Sequence, residues 1–243
     1  GLIVFSTPFD PTAVDFLEKI NVPAYKVASF EIGDLGLLEK IGSAKKPVII
    51  SRGMANLKEM KLAIKTLKKS GAPSVAVLHC VSSYPAKPEE MNISSIPALK
   101  KKLGLEIGLS DHNLDSSVAI GAVALGACII EKHITLKRAD GGPDSAFSLE
   151  PGELKDLVKS IRTLEKSIGK PQFKAGKRES AGLVYRRSLF IAEDVKKGEL
   201  VNGNNVRSIR PGYGLAPKFL KAVLGMRFSK DVERGTPLSW NLI

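Results

Sequence analysis

Two of the three histidines in the chain, His112 in "GLSDHNLD" and His133 in "IIEKHITL", each come at the end of a short apolar run. At the ends of neighbouring strands, two imidazoles can share one divalent ion and leave positions for water and substrate oxygens, an open, catalytic kind of site. The other reading, a core histidine satisfied by a backbone carbonyl, stays open for each. Lys26 lies within the apolar "AYKVAS". An unpaired ammonium is costly to bury, so Lys26 either meets a bound phosphate or carboxylate or snorkels from a strand end. Thr7, Ser29, Ser51 and Ser110 bring hydroxyls to four strand ends. Each could be a helix cap, and together with Lys26 they outline an anion cradle. Glu31 could act as acid or base, or stand solvated in a loop.

Two loops add candidates. "DGGPDSAFSLEP" carries Asp144, whose carboxylate could accept hydrogen bonds from sugar hydroxyls, although glycine and proline punctuation alone explains such a loop equally well. "RSIRPGYGLAP" holds Arg210 in a stiff turn suited to a carboxylate or amide oxygen. A nucleic-acid-facing turn is the weaker reading, because aromatic residues do not alternate with the basic ones.

These residues need elements to position them. From residue 2 to about 166 a short β-branched run, a polar turn and a helix-period stretch repeat. The runs are "LIVFS", "AYKVAS", "PVIIS", "SVAVLHC", "LEIGLS" and "ACIIEKH", with amphipathic segments such as "NLKEMKLAIKTLKKSG" and "GELKDLVKSIRTLEKS" between and after them. The alternation predicts a parallel sheet with helices outside. In a (β/α)8 barrel the chemistry sits at the C-terminal strand ends, where this chain gathers Thr7, Lys26, Ser29, Glu31, Ser51, His79, Ser82, Ser110, Asp111, His112 and His133. A doubly wound sheet would carry a glycine-rich phosphate turn after its first strand, and none is present. Six units cannot close eight strands, so the expectation is a barrel lacking its first two units, spanning 1–168. Residues 169–186 read as a linker. A β-rich module follows at 187–243, in which "DVKKG" at 194–198 is echoed by "DVERG" at 231–235.

With 243 residues and 43% hydrophobic content the chain can bury a sizeable core. No apolar run is long enough to span a membrane and no signal peptide opens the sequence, so a soluble, cytoplasmic protein is expected. Cys80 and Cys128 lie in or beside apolar runs without metal spacing and are expected as buried thiols. A net charge of +12 suits nucleic acid, an anionic surface, or phosphorylated and carboxylated small molecules. The chain starts at Gly1 rather than methionine, from which a missing upstream segment is expected.

"STPFD", "YKVASFEIGDL", "LHCVSSYPA", "GLSDH", "EKHITL", "RADGGPDSAFSLEP" and "RPGYG" occur in this order. Together they resemble the sialic acid synthase family, and within it the pseudaminic acid synthase branch, over the whole chain. The resemblance implies a (β/α)8 barrel followed by a small antifreeze-like (SAF) domain. It implies a transferase that condenses phosphoenolpyruvate with an acylated amino sugar, here a 2,4-diacetamido-2,4,6-trideoxy hexose, to a nine-carbon α-keto acid with release of phosphate. C3 of phosphoenolpyruvate attacks the aldehyde carbon, water adds at C2, and phosphate leaves by C–O cleavage. By resemblance, His112 and His133 are ligands of a divalent metal, Mn2+ or Mg2+, and act in catalysis with Glu31. Thr7, Lys26, Ser29, Ser51 and Ser110 match phosphoenolpyruvate contacts, and Tyr84, Asp144 and Arg210 match sugar contacts. A domain-swapped homodimer is implied, with Arg210 acting on the partner's barrel, and neither nucleic acid nor membrane as partner.

Ser82 stands where the neuraminate branch usually has asparagine. Arg52 in "SRGM" and Asn113 after "SDH" stand where threonine is usual, and the absent first strands would supply a further lysine and a glutamate. The alternatives are an N-acetylneuraminate or legionaminate synthase, or a non-catalytic remnant that binds sugar or nucleic acid.

Overall fold

The β-branched runs pair as one parallel sheet. In the computed structural model, which describes residues 1–243, the strands are β1 (Tyr25–Val27), β2 (Val48–Ser51), β3 (Val75–Cys80), β4 (Ile107–Asp111) and β5 (Ile130–Lys132). They lie in the order β1-β2-β3-β4-β5, every neighbouring pair parallel. A doubly wound sheet reverses strand order at its switch point. This sheet never reverses, which is the order of a barrel, here five strands of one.

Helices α1 (Pro11–Lys19), α2 (Leu35–Ser43), α3 (Leu57–Ser70), α4 (Ser95–Leu103), α5 (Ser116–Ala124) and α6 (Pro151–Ile168) separate and follow the strands. Their limits follow local chemistry. Asp10 caps α1 by accepting from the N–H of Thr12 at 2.7 Å, and Asn56 and Glu59 form a reciprocal capping box at the start of α3. The first core joins one face of the sheet, including Tyr25, Val27, Val48, Ile50, Val75, Val77, Ile107 and Leu109, to the inner faces of the helices. Strand residues alternate between faces, so Lys26, Ser51, Cys80 and Ser110 turn the other way, to the inner face.

Two expectations need correction. "LIVFS" is not a strand. Leu2, Ile3 and Val4 are at least 74% exposed, and only Ser6 bridges to Tyr25. An apolar run becomes a strand when neighbours cover it, and this one has β1 at its far end and nothing along its length, so the chain has five strands here rather than six. Cys128 is exposed, unlike Cys80. It precedes the short edge strand β5, where no further strand covers it, and burial together with nearby Glu106 still raises its thiol pKa.

The chain divides into two compact units, Gly1–Gly169 and Lys170–Ile243. The second contains α7 (Lys177–Ser180), an antiparallel pair β6 (Ser188–Ile191) and β7 (Val206–Ile209), and α8 (Leu220–Val223). Its core is built from Leu189, Ile191, Val201, Val206, Phe228 and Leu238 among others. The echoed pentapeptides face each other through a Val195–Val232 bridge. The carboxylate of Asp194 accepts from the N–H of Arg234 at 2.7 Å, and that of Asp231 accepts from the N–H of Lys197 at 2.8 Å. Gly198 and Gly235 close the two turns at φ +86° and +87°, a region that disfavours other residues. The repeat is therefore a pair of turns in which each caps the other.

Candidate active site

A cavity of about 370 Å³ opens at the C-terminal strand ends, bordered by Thr7, Lys26, Ser29, Ser51, Ser110, His112 and His133, with Tyr84, Cys80 and Glu131 among the other lining residues. Lys26 is only 7% exposed, so it does not snorkel. Its Nζ donates to Ser51 Oγ at 2.8 Å and to the Val27 carbonyl at 3.3 Å, and lies 3.4 Å from Glu131 Oε2. Ser110 Oγ donates to Glu131 Oε1 at 2.6 Å, and Ser29 shares a 2.8 Å hydrogen bond with Ser82. A buried ammonium and hydroxyls that border an open cavity can serve an anion there, in competition with the Glu131 carboxylate.

The two histidine rings lie 5.4 Å apart, centroid to centroid. His112 Nδ1 donates to the Val81 carbonyl at 3.1 Å, which leaves the Nε2 lone pair available. Burial pushes its pKa down and so favours the neutral ring. His133 Nδ1 is 3.5 Å from Asp144 Oδ2. An outer partner on Nδ1 is the usual way of orienting a ligating imidazole. No third His, Cys, Asp or Glu joins them in a metal-sized cluster. The pair therefore fits a divalent ion that takes its remaining ligands from solvent and substrate oxygens, and would not form a closed structural site. Tyr84 packs 4.2 Å from the His112 ring, its hydroxyl pKa raised by burial, and Phe147 packs 5.1 Å from His133.

The anion and histidine candidates thus come together, and Asp144 reaches the cluster through His133. Three others do not. His79 is a core histidine: its parity puts it on the outer face with Val75 and Val77, its Nε2 donates to the Met91 carbonyl at 2.6 Å, and burial lowers its pKa. Glu31 does not border the cavity, and its Oε2 is buried without a hydrogen-bond partner. Arg210 lies in the second unit, exposed. The turn beside it is fixed by Ser188, which donates to the Pro211 carbonyl at 2.7 Å and accepts from the Gly214 N–H at 2.9 Å. At Gly214 a Cβ would come 2.2 Å from the Leu189 carbonyl, so only glycine fits. Sequence reasoning missed Glu131 and Phe147. Glu131 was findable: it stands two residues before His133 and so shares its strand face.

The sequential parallel sheet, with a cavity at its strand ends, defines a partial (β/α)8 barrel. The chain belongs to the NeuB family, whose model matches residues 1–173, and residues 186–243 match the SAF domain. It is 39% identical over 238 residues to the pseudaminic acid synthase of Campylobacter jejuni, covering 98% of this chain and 69% of that protein. It is 40% identical over 236 residues to the N,N'-diacetyllegionaminic acid synthase of the same species, covering 96% and 71%. Among solved structures, the N-acetylneuraminic acid synthetase of Leptospira borgpetersenii, in complex with citrate, superposes with a TM-score of 0.70 at 38% identity, covering 75% of this chain and 64% of that one. No helix is long and apolar enough to cross a membrane.

Proposed function

We propose that this chain carries the core of a phosphoenolpyruvate-dependent nonulosonate synthase, a transferase that joins phosphoenolpyruvate to the open-chain aldehyde of a 2,4-diacetamido-2,4,6-trideoxy hexose. The observation that carries the reading is the buried Lys26 ammonium beside two histidines in one cavity. Lys26, Ser51, Ser29, Thr7 and Ser110 bind the phosphate and carboxylate oxygens and hold C3 near the aldehyde carbon. A divalent ion such as Mn2+ or Mg2+, held by His112 and His133, would supply Lewis-acid polarisation of the aldehyde oxygen. The new bond joins C3 to the aldehyde carbon, whose oxygen takes a proton. Water then adds at C2 with loss of its own proton, and C–O cleavage releases phosphate and leaves the 2-keto group. Glu131, which meets Ser110 and Lys26 and borders the cavity, would hold or move a proton there. Glu31 remains a candidate only if its unpartnered carboxylate turns toward the substrate.

Tyr84, Asp144 and Arg210 serve the sugar. In this reading residues 169–186 tether the SAF domain, and in a homodimer Arg210 reaches the partner's barrel. The pseudaminic branch is preferred on Ser82, which holds Ser29 where the neuraminate branch has asparagine. The similar identities to the pseudaminic and legionaminic relatives make the legionaminate reaction the second reading.

The test measures phosphate release from phosphoenolpyruvate with altro- and manno-configured diacetamido sugars, with and without a chelator, alongside direct binding of phosphoenolpyruvate. Faster turnover of the altro sugar that depends on metal is the expected result. Preference for the manno sugar moves the assignment to the legionaminate reaction, and absence of both turnover and binding overturns the proposal. Mixing Arg210→Ala with His112→Ala chains tests the shared site, since one of two sites in a mixed dimer regains both residues. No recovery in a confirmed heterodimer sinks the role in trans.

A further inference from the structure

Behind the histidines lies a buried ion pair that the reaction above does not use. Asp111 and Lys132 are Cα partners on the last rung of the β4–β5 ladder. Their side chains are 0% and 4% exposed and meet at 3.0 Å. Asp111 Oδ1 also accepts from the Asn113 backbone N–H at 3.0 Å and from its side-chain Nδ2 at 3.1 Å. Lys132 Nζ donates to the Asn113 carbonyl as well. Both charges are therefore satisfied by residues that bracket His112 on one strand and precede His133 on the other.

A buried ion pair is a poor source of stability, because apolar residues of similar volume often do as well or better. What this pair supplies is a fixed distance. His112 and His133 stand one residue beyond the last rung, where no ladder hydrogen bond acts between their strands. Lys132 borders the cavity, but its ammonium is committed to Asp111 and Asn113 and is not available to an anionic substrate. Asn113 contributes through its own side chain, since its amide gives Asp111 a third hydrogen bond.

We propose that Asp111, Lys132 and Asn113 form a clasp that sets the separation of His112 and His133, and with it the affinity of the histidine pair for a divalent cation. They are positioning residues, and the proposal rests on the metal reading of the site. The test titrates Mn2+ alone into the protein and reads free ion by electron paramagnetic resonance, with thermal unfolding recorded for every variant. Lys132→Met should weaken Mn2+ binding about 10-fold, the low end of the range for groups that touch a metal ligand directly, because the clasp acts through the strand backbone, while Lys132→Arg stays within about threefold of the parent. A loss of overall stability alone leaves the affinity of the folded protein unmoved, so the readout separates positioning from scaffolding. Unchanged affinity in Lys132→Met, with affinity lost in His112→Ala, overturns the clasp and leaves the metal site standing. If the parent binds no Mn2+, or His112→Ala binds as well as the parent, the metal reading fails and the clasp falls with it. Should Lys132→Met not fold, Asn113→Ala decides: it removes one hydrogen bond and no charge, with an expected loss of about two- to tenfold, and no loss overturns the proposal.

Discussion

The half-barrel and the small unit both bury polar side chains, but they aim them differently. In the small unit Ser188 and Asn205 are each 1% exposed. Ser188 bonds the Pro211 carbonyl and the Gly214 N–H, and Asn205 donates to the Leu200 carbonyl at 3.0 Å and accepts from the Asn202 N–H at 2.9 Å. Their main partners are backbone groups of turns. In the half-barrel Lys26, Ser51 and Ser110 bond side chains, with Glu131 as the common acceptor for Lys26 and Ser110, and they border an open cavity. A buried polar group that meets backbone locks a turn. One that meets other polar side chains beside a cavity has partners that a ligand reaching the cavity can displace.

Two substitutions set that contrast against itself. Lys26→Ala should weaken phosphoenolpyruvate binding about ten- to a hundredfold, since a charge-assisted contact is worth roughly 1.5–3 kcal/mol. Its unfolding midpoint should change little, because the lysine is held mainly by a hydroxyl and a partly exposed carboxylate. Calorimetric titration with phosphoenolpyruvate checks the first part and thermal unfolding the second. Ser188→Ala should do the reverse. It removes two hydrogen bonds to partly buried backbone groups, each worth about 0.5–1.5 kcal/mol, while phosphoenolpyruvate affinity in the other unit stays the same. If Lys26→Ala lowers the unfolding midpoint and leaves phosphoenolpyruvate affinity unchanged, the distinction between the two kinds of burial is wrong.

Much of the positional logic was legible before any coordinates. α3 and α6 follow from helical periodicity, with Asn56 and Gly71 bounding α3 and Pro151 opening α6. The gathering of Lys26, Ser51, Ser110, His112 and His133 follows from the barrel rule for strand ends. What failed depended on partners and parity. "LIVFS" has strand composition but no neighbour along its length, and composition does not report neighbours. His79 lies inside the end of β3 while His112 lies just past the end of β4, and strand parity sends His79 outward to Met91. Glu131 carries no motif of its own, and only strand alternation puts it on the same face as His133. The clasp was the least legible part: Asp111 and Lys132 pair through strand register, which a sequence does not print.

The smallest expected effect lies in the loop that carries Asp144 and Phe147 and so walls the histidine pair. Arg138 anchors it, donating to the Ser148 carbonyl at 3.1 Å and to both carboxylate oxygens of Glu153 on α6. The side-chain hydrogen bond from Arg138, helped by the Glu150 N–H, holds the Glu153 carboxyl down at about 2, below its ordinary 4.5. A carboxylate depressed in the folded state stabilises it above the unfolded pKa, and that contribution is lost as pH falls through the folded one. The pair therefore acts fully above about pH 4.5, weakens toward pH 2, and is absent below it. Glu153 is 43% exposed at the side chain, so solvent screening limits the gain to at most about 1 kcal/mol. Glu153→Gln should lower the unfolding midpoint slightly at pH 7, and the difference should shrink as the pH is taken from 4.5 toward 2. The same variant should raise the KM for the sugar more than that for phosphoenolpyruvate, because the loosened loop borders His133 and not Lys26. A midpoint difference that grows on acidification, or equal changes in both Michaelis constants, would show that the Arg138–Glu153 pair is surface decoration and that the loop is held by the packing of Phe147 instead.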